Sequence, residues 1–164
     1  MMRLWAERPT EIANLLNPAF GSILIREAVF GYHQKAEADM PYILSFLVLP
    51  VVLHKPTRDL LPRGISTKLH TWIEKNQSVR IDFAERVRWI VPYSEEALYF
   101  AVKGDLIDIS DDGQLTPKKK KIKNLSWPTT SEPSLCKKRA HFVGKWFSLA
   151  GDTATILAMW GIRP

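Results

Sequence analysis

The residues best suited to chemistry stand in one short stretch, His54, Arg58 and Asp59, which follows a long apolar segment. A base, a guanidinium and a carboxylate beside a buried element are the parts of a general acid–base centre. If the segment stayed helical through Arg58, His54 and Arg58 would lie one turn apart on one face. Pro56 interrupts that helix, and the competing structural reading has Arg58 and Asp59 pair with each other to organise the Pro-Thr-Arg-Asp-Leu-Leu-Pro turn. We weight the structural reading above the catalytic one. The other histidines, His33, His70 and His141, share no metal-type spacing with His54 or with the single cysteine, Cys136. No Gly-x-Ser-x-Gly elbow and no glycine-rich phosphate loop occurs, and Gly31, Gly64 and Gly104 read as helix terminators. The expectation is a chain without a catalytic, cofactor or metal centre of its own.

The second chemically distinct feature is charge. Of the formal +6, the excess is concentrated between Lys118 and Arg139, where Lys118, Lys119, Lys120, Lys121, Lys123, Lys137, Lys138 and Arg139 face Glu132 alone. These are the candidate contacts to DNA phosphates. Lysines without interleaved aromatics are equally compatible with a solvated loop.

The elements that must carry these groups are mostly helical. At 164 residues and 46% apolar content the chain can build a core without metal or disulfide. Asn17-Pro18 is a cap followed by proline at the first helical position, and the apolar spacing from Phe20 predicts a helix to about Ala38, with a shorter one from Thr10. The apolar run Met40–Leu53, broken by Pro41, Ser45 and Pro50, is short of the roughly 20 residues a bilayer requires and predicts a buried helix that Pro50 kinks or splits. A buried strand over Tyr42–Val48 is the alternative. With one thiol and no signal-peptide pattern, the reading is a reduced cytoplasm and no membrane.

Beyond it, Ser66 or Thr67 caps a short helix through Trp72, and Ser78 caps another that Pro92 stops. Ser94-Glu95-Glu96 starts a third, ending at Gly104, and Leu106–Thr116 folds as a hairpin about Asp111-Asp112-Gly113. Helix, turn, helix, hairpin is the order of a winged helix, placed at 67–118. Its reading helix carries Glu95, Glu96, Leu98, Tyr99 and Phe100 and its hairpin Asp105, Asp108, Asp111 and Asp112. Carboxylates repel phosphates, so such a face suits protein rather than base recognition. We therefore expect a mainly α single domain: an N-terminal helical part (10–64), the winged-helix-like part, a basic linker (118–134) in which Trp127 docks onto the body, and C-terminal helices (135–164). Tyr99, Phe100 and Trp127 are the candidate partner-binding aromatics.

Several short motifs extend this reading: Asn17-Pro18-Ala19-Phe20, Pro41 and Phe46-Leu47-Val48-Leu49-Pro50-Val51-Val52-Leu53-His54, Arg58-Asp59-Leu60-Leu61-Pro62, Trp72-Ile73 and Gly144-Lys145-Trp146-Phe147, with Thr155-Ile156 to Gly161-Ile162. In them the chain resembles the middle component of three-component ABC-ATPase conflict systems, a group that includes the small subunit of Lamassu-type anti-phage and anti-plasmid defence. The resemblance implies a bacterial accessory subunit that joins an SMC-like ABC ATPase to an effector, often a nuclease, in a complex that senses foreign DNA. It carries no catalytic motif over to this sequence. A stand-alone winged-helix DNA-binding regulator is the rival, and a small enzyme built on His54, Arg58 and Asp59 is a second.

Overall fold

The computed structural model describes residues 4–122 and 125–163. Eight α-helices occur among them: α1 (Thr10–Leu15), α2 (Pro18–Ala36), α3 (Ser45–Val52), α4 (Lys55–Leu60), α5 (Leu69–Lys75), α6 (Phe83–Lys103), α7 (Glu132–Ser148) and α8 (Thr153–Met159). Three short strands, β1 (Met40–Pro41), β2 (Ile107–Ile109) and β3 (Gln114–Pro117), form an antiparallel sheet in the order β1–β3–β2. The chain is thus mainly α, with one small sheet.

Helix α2 is the centre of the packing, against α7 most extensively and then α6 and α3. Asn17 starts it as expected: its Oδ1 accepts from the amides of Ala19 at 2.8 Å and Phe20 at 3.3 Å, satisfying two otherwise orphaned donors. Gly31 does not end this helix. It lies mid-helix where α7 crosses, and a Cβ there would stand 2.2 Å from the carbonyl oxygen of His141; at Gly144 a Cβ would stand 1.8 Å from that of Ala28. The two glycines let the backbones touch, which is why α2 and α7 pack so closely.

The apolar run after Met40 becomes a 3₁₀ turn, Tyr42–Leu44, and then α3, with Pro50 inside it. Helix is thus the state adopted, and Met40–Pro41 supplies the additional strand, pairing with Leu115 and Gln114. Within the core, rings from α5, α6, α7 and the residue that ends α8 meet: Phe83 stacks on Trp160 at 4.5 Å, and Trp72 meets Trp146 edge-on at 5.2 Å. Such pairs contribute about 0.5–1.5 kcal/mol each beyond area burial. The indoles of Trp72 and Trp146 donate to the carbonyls of Leu60 and Thr67, which pins the Pro62–Gly64 loop region to the helices.

The region expected to be a winged helix is built differently. The break predicted at Pro92 is absent: α6 continues from Phe83 to Lys103 through it. A mid-helix proline costs about 3 kcal/mol. The burial of Val87 and Ile90 before it and of Ala97, Leu98 and Ala101 after it, all on one side of the same rod, offsets that cost. Ser94 is consequently mid-helix and fully buried rather than a cap. The hairpin forms as expected, with Ile107 opposite Pro117 and Ile109 opposite Leu115. Its third strand neighbour comes from β1, outside 67–118.

Candidate interaction surfaces

Helix α4 begins after His54, whose backbone is extended, and Pro56 sits in its first turn. This short helix directs its three polar candidates to different places. His54 Nδ1 is 2.8 Å from Thr57 Oγ1, and burial together with the charge of Arg86 holds its pKa below the usual histidine value. Asp59 is exposed and pairs with Lys55 on the same helix. Arg58 turns inward: its guanidinium donates to the Val52 carbonyl at 2.8 Å, to Cys136 Sγ at 3.3 Å and to Glu132 Oε1 at 2.6 Å. The expected Arg58–Asp59 pair therefore does not form, because the partner carboxylate comes from the first turn of α7. The groups do not converge on one point. A cavity of about 340 Å³ adjoins Arg58 and Glu132, lined also by Glu11, Asn14 and Phe20.

Cys136 is buried against that guanidinium, and burial pushes its thiol pKa up. Among the described residues, no group of three His, Cys, Asp or Glu side chains is placed to hold a metal ion. No helix among them is long and apolar enough to cross a membrane.

The basic stretch after β3 is a strap laid across α2 and α6 rather than a free loop. Arg26 on α2 donates to the carbonyls of Lys118 and Lys120, and Lys120 Nζ donates to the Gly104 carbonyl. Lys118 is neutralised by Asp105 and, at 3.3 Å, by Asp108. Lys137 stands 3.8 Å from Glu27, and Arg139 donates to the carbonyls of Leu61 and Pro62 while covering the Phe142 ring. Lys119, Lys121 and Lys138 remain exposed. Lys123 lies outside the described residues.

Among the aromatic side chains whose burial is described, the exposed ones lie on α6. Tyr99 is 65% exposed and Phe100 45%, as the sequence predicts, and Trp89, which the sequence reading missed, is 52% exposed. Trp89, Tyr93, Glu96 and Phe100 fall at helical spacing on one stripe. The Trp89 and Tyr93 rings touch at 5.4 Å. Arg8 crosses the stripe, 5.2 Å over the Tyr93 ring and forked onto Glu96 at 2.8 and 3.0 Å. The i, i+4, i+7, i+11 pattern was available as a signal; the false break at Pro92 divided it in two. Trp127 docks edge-on against Phe20 at 5.6 Å and is half-buried.

Fold and surface define a mainly helical protein whose long helix α6 buries one side and displays aromatic rings on another. A model of the family described as ABC-three component (ABC-3C) system Middle Component 3 matches residues 5–164, and the chain belongs to that family. It is, accordingly, one component of a system that has other subunits. No curated protein and no solved structure matches it.

Proposed function

We propose that the chain is a non-enzymatic bridging subunit that joins an SMC-like ABC ATPase to an effector subunit, of which a nuclease is the expected type. The observation that carries this reading is the outer side of α6, where Trp89 and Phe100 on the stripe and Tyr99 beside it are exposed, while the other large rings of known burial are buried or half-buried. Exposed aromatics of this kind anchor protein interfaces. Membership of a middle-component family supports the subunit role. The use of the best acid–base candidates in local and inter-helix contacts supports assigning chemistry to the partners. Within the same reading, the complex acts in bacterial anti-phage or anti-plasmid defence of the Lamassu type, in the cytoplasm. Lys119, Lys121 and Lys138 would add phosphate contacts once the complex is on DNA.

Co-expression with an SMC-like ATPase and an effector from the same gene neighbourhood, the partners this reading requires, tests the proposal. The expected result is one complex containing all three, with capture of the partners falling at least about tenfold for Tyr99→Ala/Phe100→Ala. The variant should unfold within about 0.5 kcal/mol of the parent, because both rings are already exposed. Turnover of a substrate by the isolated chain, or assembly of ATPase and effector that is indifferent to its presence, would overturn the reading.

A further inference from the structure

Helix α6 has another uncovered flank. Between it, the start of α3 and the end of α8 runs a groove of about 320 Å³, lined by Ile43, Phe46, Leu47, Ala84, Val87, Val91, Leu157 and Ile162. Leu47, Val87 and Leu157 form its buried floor; Phe46, Ala84, Val91 and Ile162 are only half covered, and Ile43 is 42% exposed. The only charged residues in its lining are Arg88 and Arg163. Both are exposed, and neither takes an ion-pair partner among the described residues. On α6 the carboxylates nearest the groove flank it at both ends: exposed Glu85 one turn before Arg88, and Glu95 one turn beyond Val91 and close enough to Tyr42 to raise that phenol's pKa, after burial.

Resting on the subunit reading above, we infer that this groove receives an amphipathic helix of a partner subunit, its apolar face inward and its carboxylates opposite Arg88 and Arg163. The floor offers almost no hydrogen-bond donors, so it cannot hold phosphates, and an apolar stripe at three- and four-residue spacing is what it can bury. Two guanidiniums at the rim, without an ion-pair partner among the described residues, select acidic over basic helices, because like charges brought together across an interface are costly. The groove and the aromatic stripe lie on different sides of α6, so the helix can contact two partner segments at once.

The test uses the assembled complex. A photo-crosslinking amino acid at Ile43 should join a partner peptide with apolar residues at three- and four-residue spacing and at least two Asp or Glu beside them. Arg88→Glu/Arg163→Glu should weaken partner capture about tenfold, and raised salt should narrow the gap between parent and variant. Both residues are exposed, so the thermal midpoint should stay unchanged and exclude misfolding as the cause. Unchanged capture by the double variant, alongside loss in Tyr99→Ala/Phe100→Ala, would sink the groove proposal and leave the bridging reading standing. So would a crosslink to a second copy of this chain or to a basic peptide. A parent chain that captures no partner at all would remove both.

Discussion

Arg58 on α4 reaches Glu132 at the start of α7 with a contact of 2.6 Å, and the same guanidinium closes the end of α3 by donating to Val52. One side chain thus joins three helices. The two members of the pair are unequal, since the Arg58 side chain is 5% exposed and that of Glu132 64%. Removing Arg58 leaves the buried Val52 carbonyl with only the long 3.9 Å contact from the Cys136 thiol, and a hole beside Cys136. Arg58→Ala should lower unfolding free energy by about 2–4 kcal/mol. Glu132→Gln, at the solvent-screened end, should cost less than about 1 kcal/mol. Arg58→Lys should not restore the loss, because a single ammonium cannot span the positions served by the fork. Urea titrations of the three variants decide the point; equal losses in Arg58→Ala and Glu132→Gln would show that the ion pair alone matters.

The α2–α7 crossing makes a sharper demand. A Cβ at Gly144 would lie 1.8 Å from the Ala28 carbonyl oxygen, and backbone on that side cannot swing away as a side-chain tip would. Gly144→Ala must push the two helices apart along their whole contact. We expect a loss of about 3 kcal/mol or more, read as a large fall in thermal midpoint or as insoluble protein. Gly64, where an added Cβ would meet nothing within 4 Å, is the control: Gly64→Ala should change stability by no more than about 0.5 kcal/mol.

Glu27 faces α7, where His141 Nδ1 lies 3.2 Å away and Lys137 Nζ 3.8 Å. Burial pushes its carboxyl pKa up, but the His141 hydrogen bond and the charges of Lys137, His141 and Arg26 outweigh burial and hold it below the usual value. In the unfolded chain Glu27 therefore takes up its proton first. Its contribution to stability is complete above the ordinary glutamate pKa, near about 4.3, and is lost as pH falls through the lower folded value. Glu27→Gln should cost stability near pH 6 and progressively less as the pH is taken from about 5 to about 3. Urea midpoints measured over that window check it; a difference that does not shrink on acidification would contradict the assignment.

The sequence was informative wherever a local rule also agreed with the tertiary fold. Asn17-Pro18 predicts a helix start because capping is satisfied within three residues, and the cap is there. The hairpin is legible for the same reason: Asp111-Asp112-Gly113 can turn without outside help, with Gly113 at positive φ. Pro92 and Gly31 mislead because their meaning depends on distant partners. The first is tolerated by packing on the opposite side of α6, and the second is required by a helix more than a hundred residues later. Arg58 belongs to the same class. Its neighbour Asp59 looks like its partner in sequence, yet the acceptor that meets it is separated by 74 positions. Of the surface, Tyr99 and Phe100 could be read locally, whereas the groove needed Ile43, Arg88 and Leu157 to be brought together by the fold.

The lysine strap bears on how strongly the chain meets DNA by itself. A run from Lys118 to Lys123 joined to Lys137, Lys138 and Arg139 reads in sequence as eight phosphate ligands, which would give a log–log salt slope of about −7. The fold engages half of those eight groups. Lys118 is held between two aspartates, Lys120 donates to Gly104, Lys137 faces Glu27, and Arg139 is folded onto Phe142 and two carbonyls. Lys119, Lys121 and Lys138 are left, with Lys123 outside the described residues, so the isolated chain should bind duplex DNA weakly and with a slope no steeper than about −4. Fluorescence anisotropy of a labelled duplex across a salt series measures it. Asp105→Asn/Asp108→Asn should release Lys118 and steepen the slope by about one phosphate equivalent, whereas Lys118→Gln in the parent should leave it nearly unchanged. A parent slope near −7 would mean that the internal pairs give way to phosphates and that the strap is a DNA clamp after all.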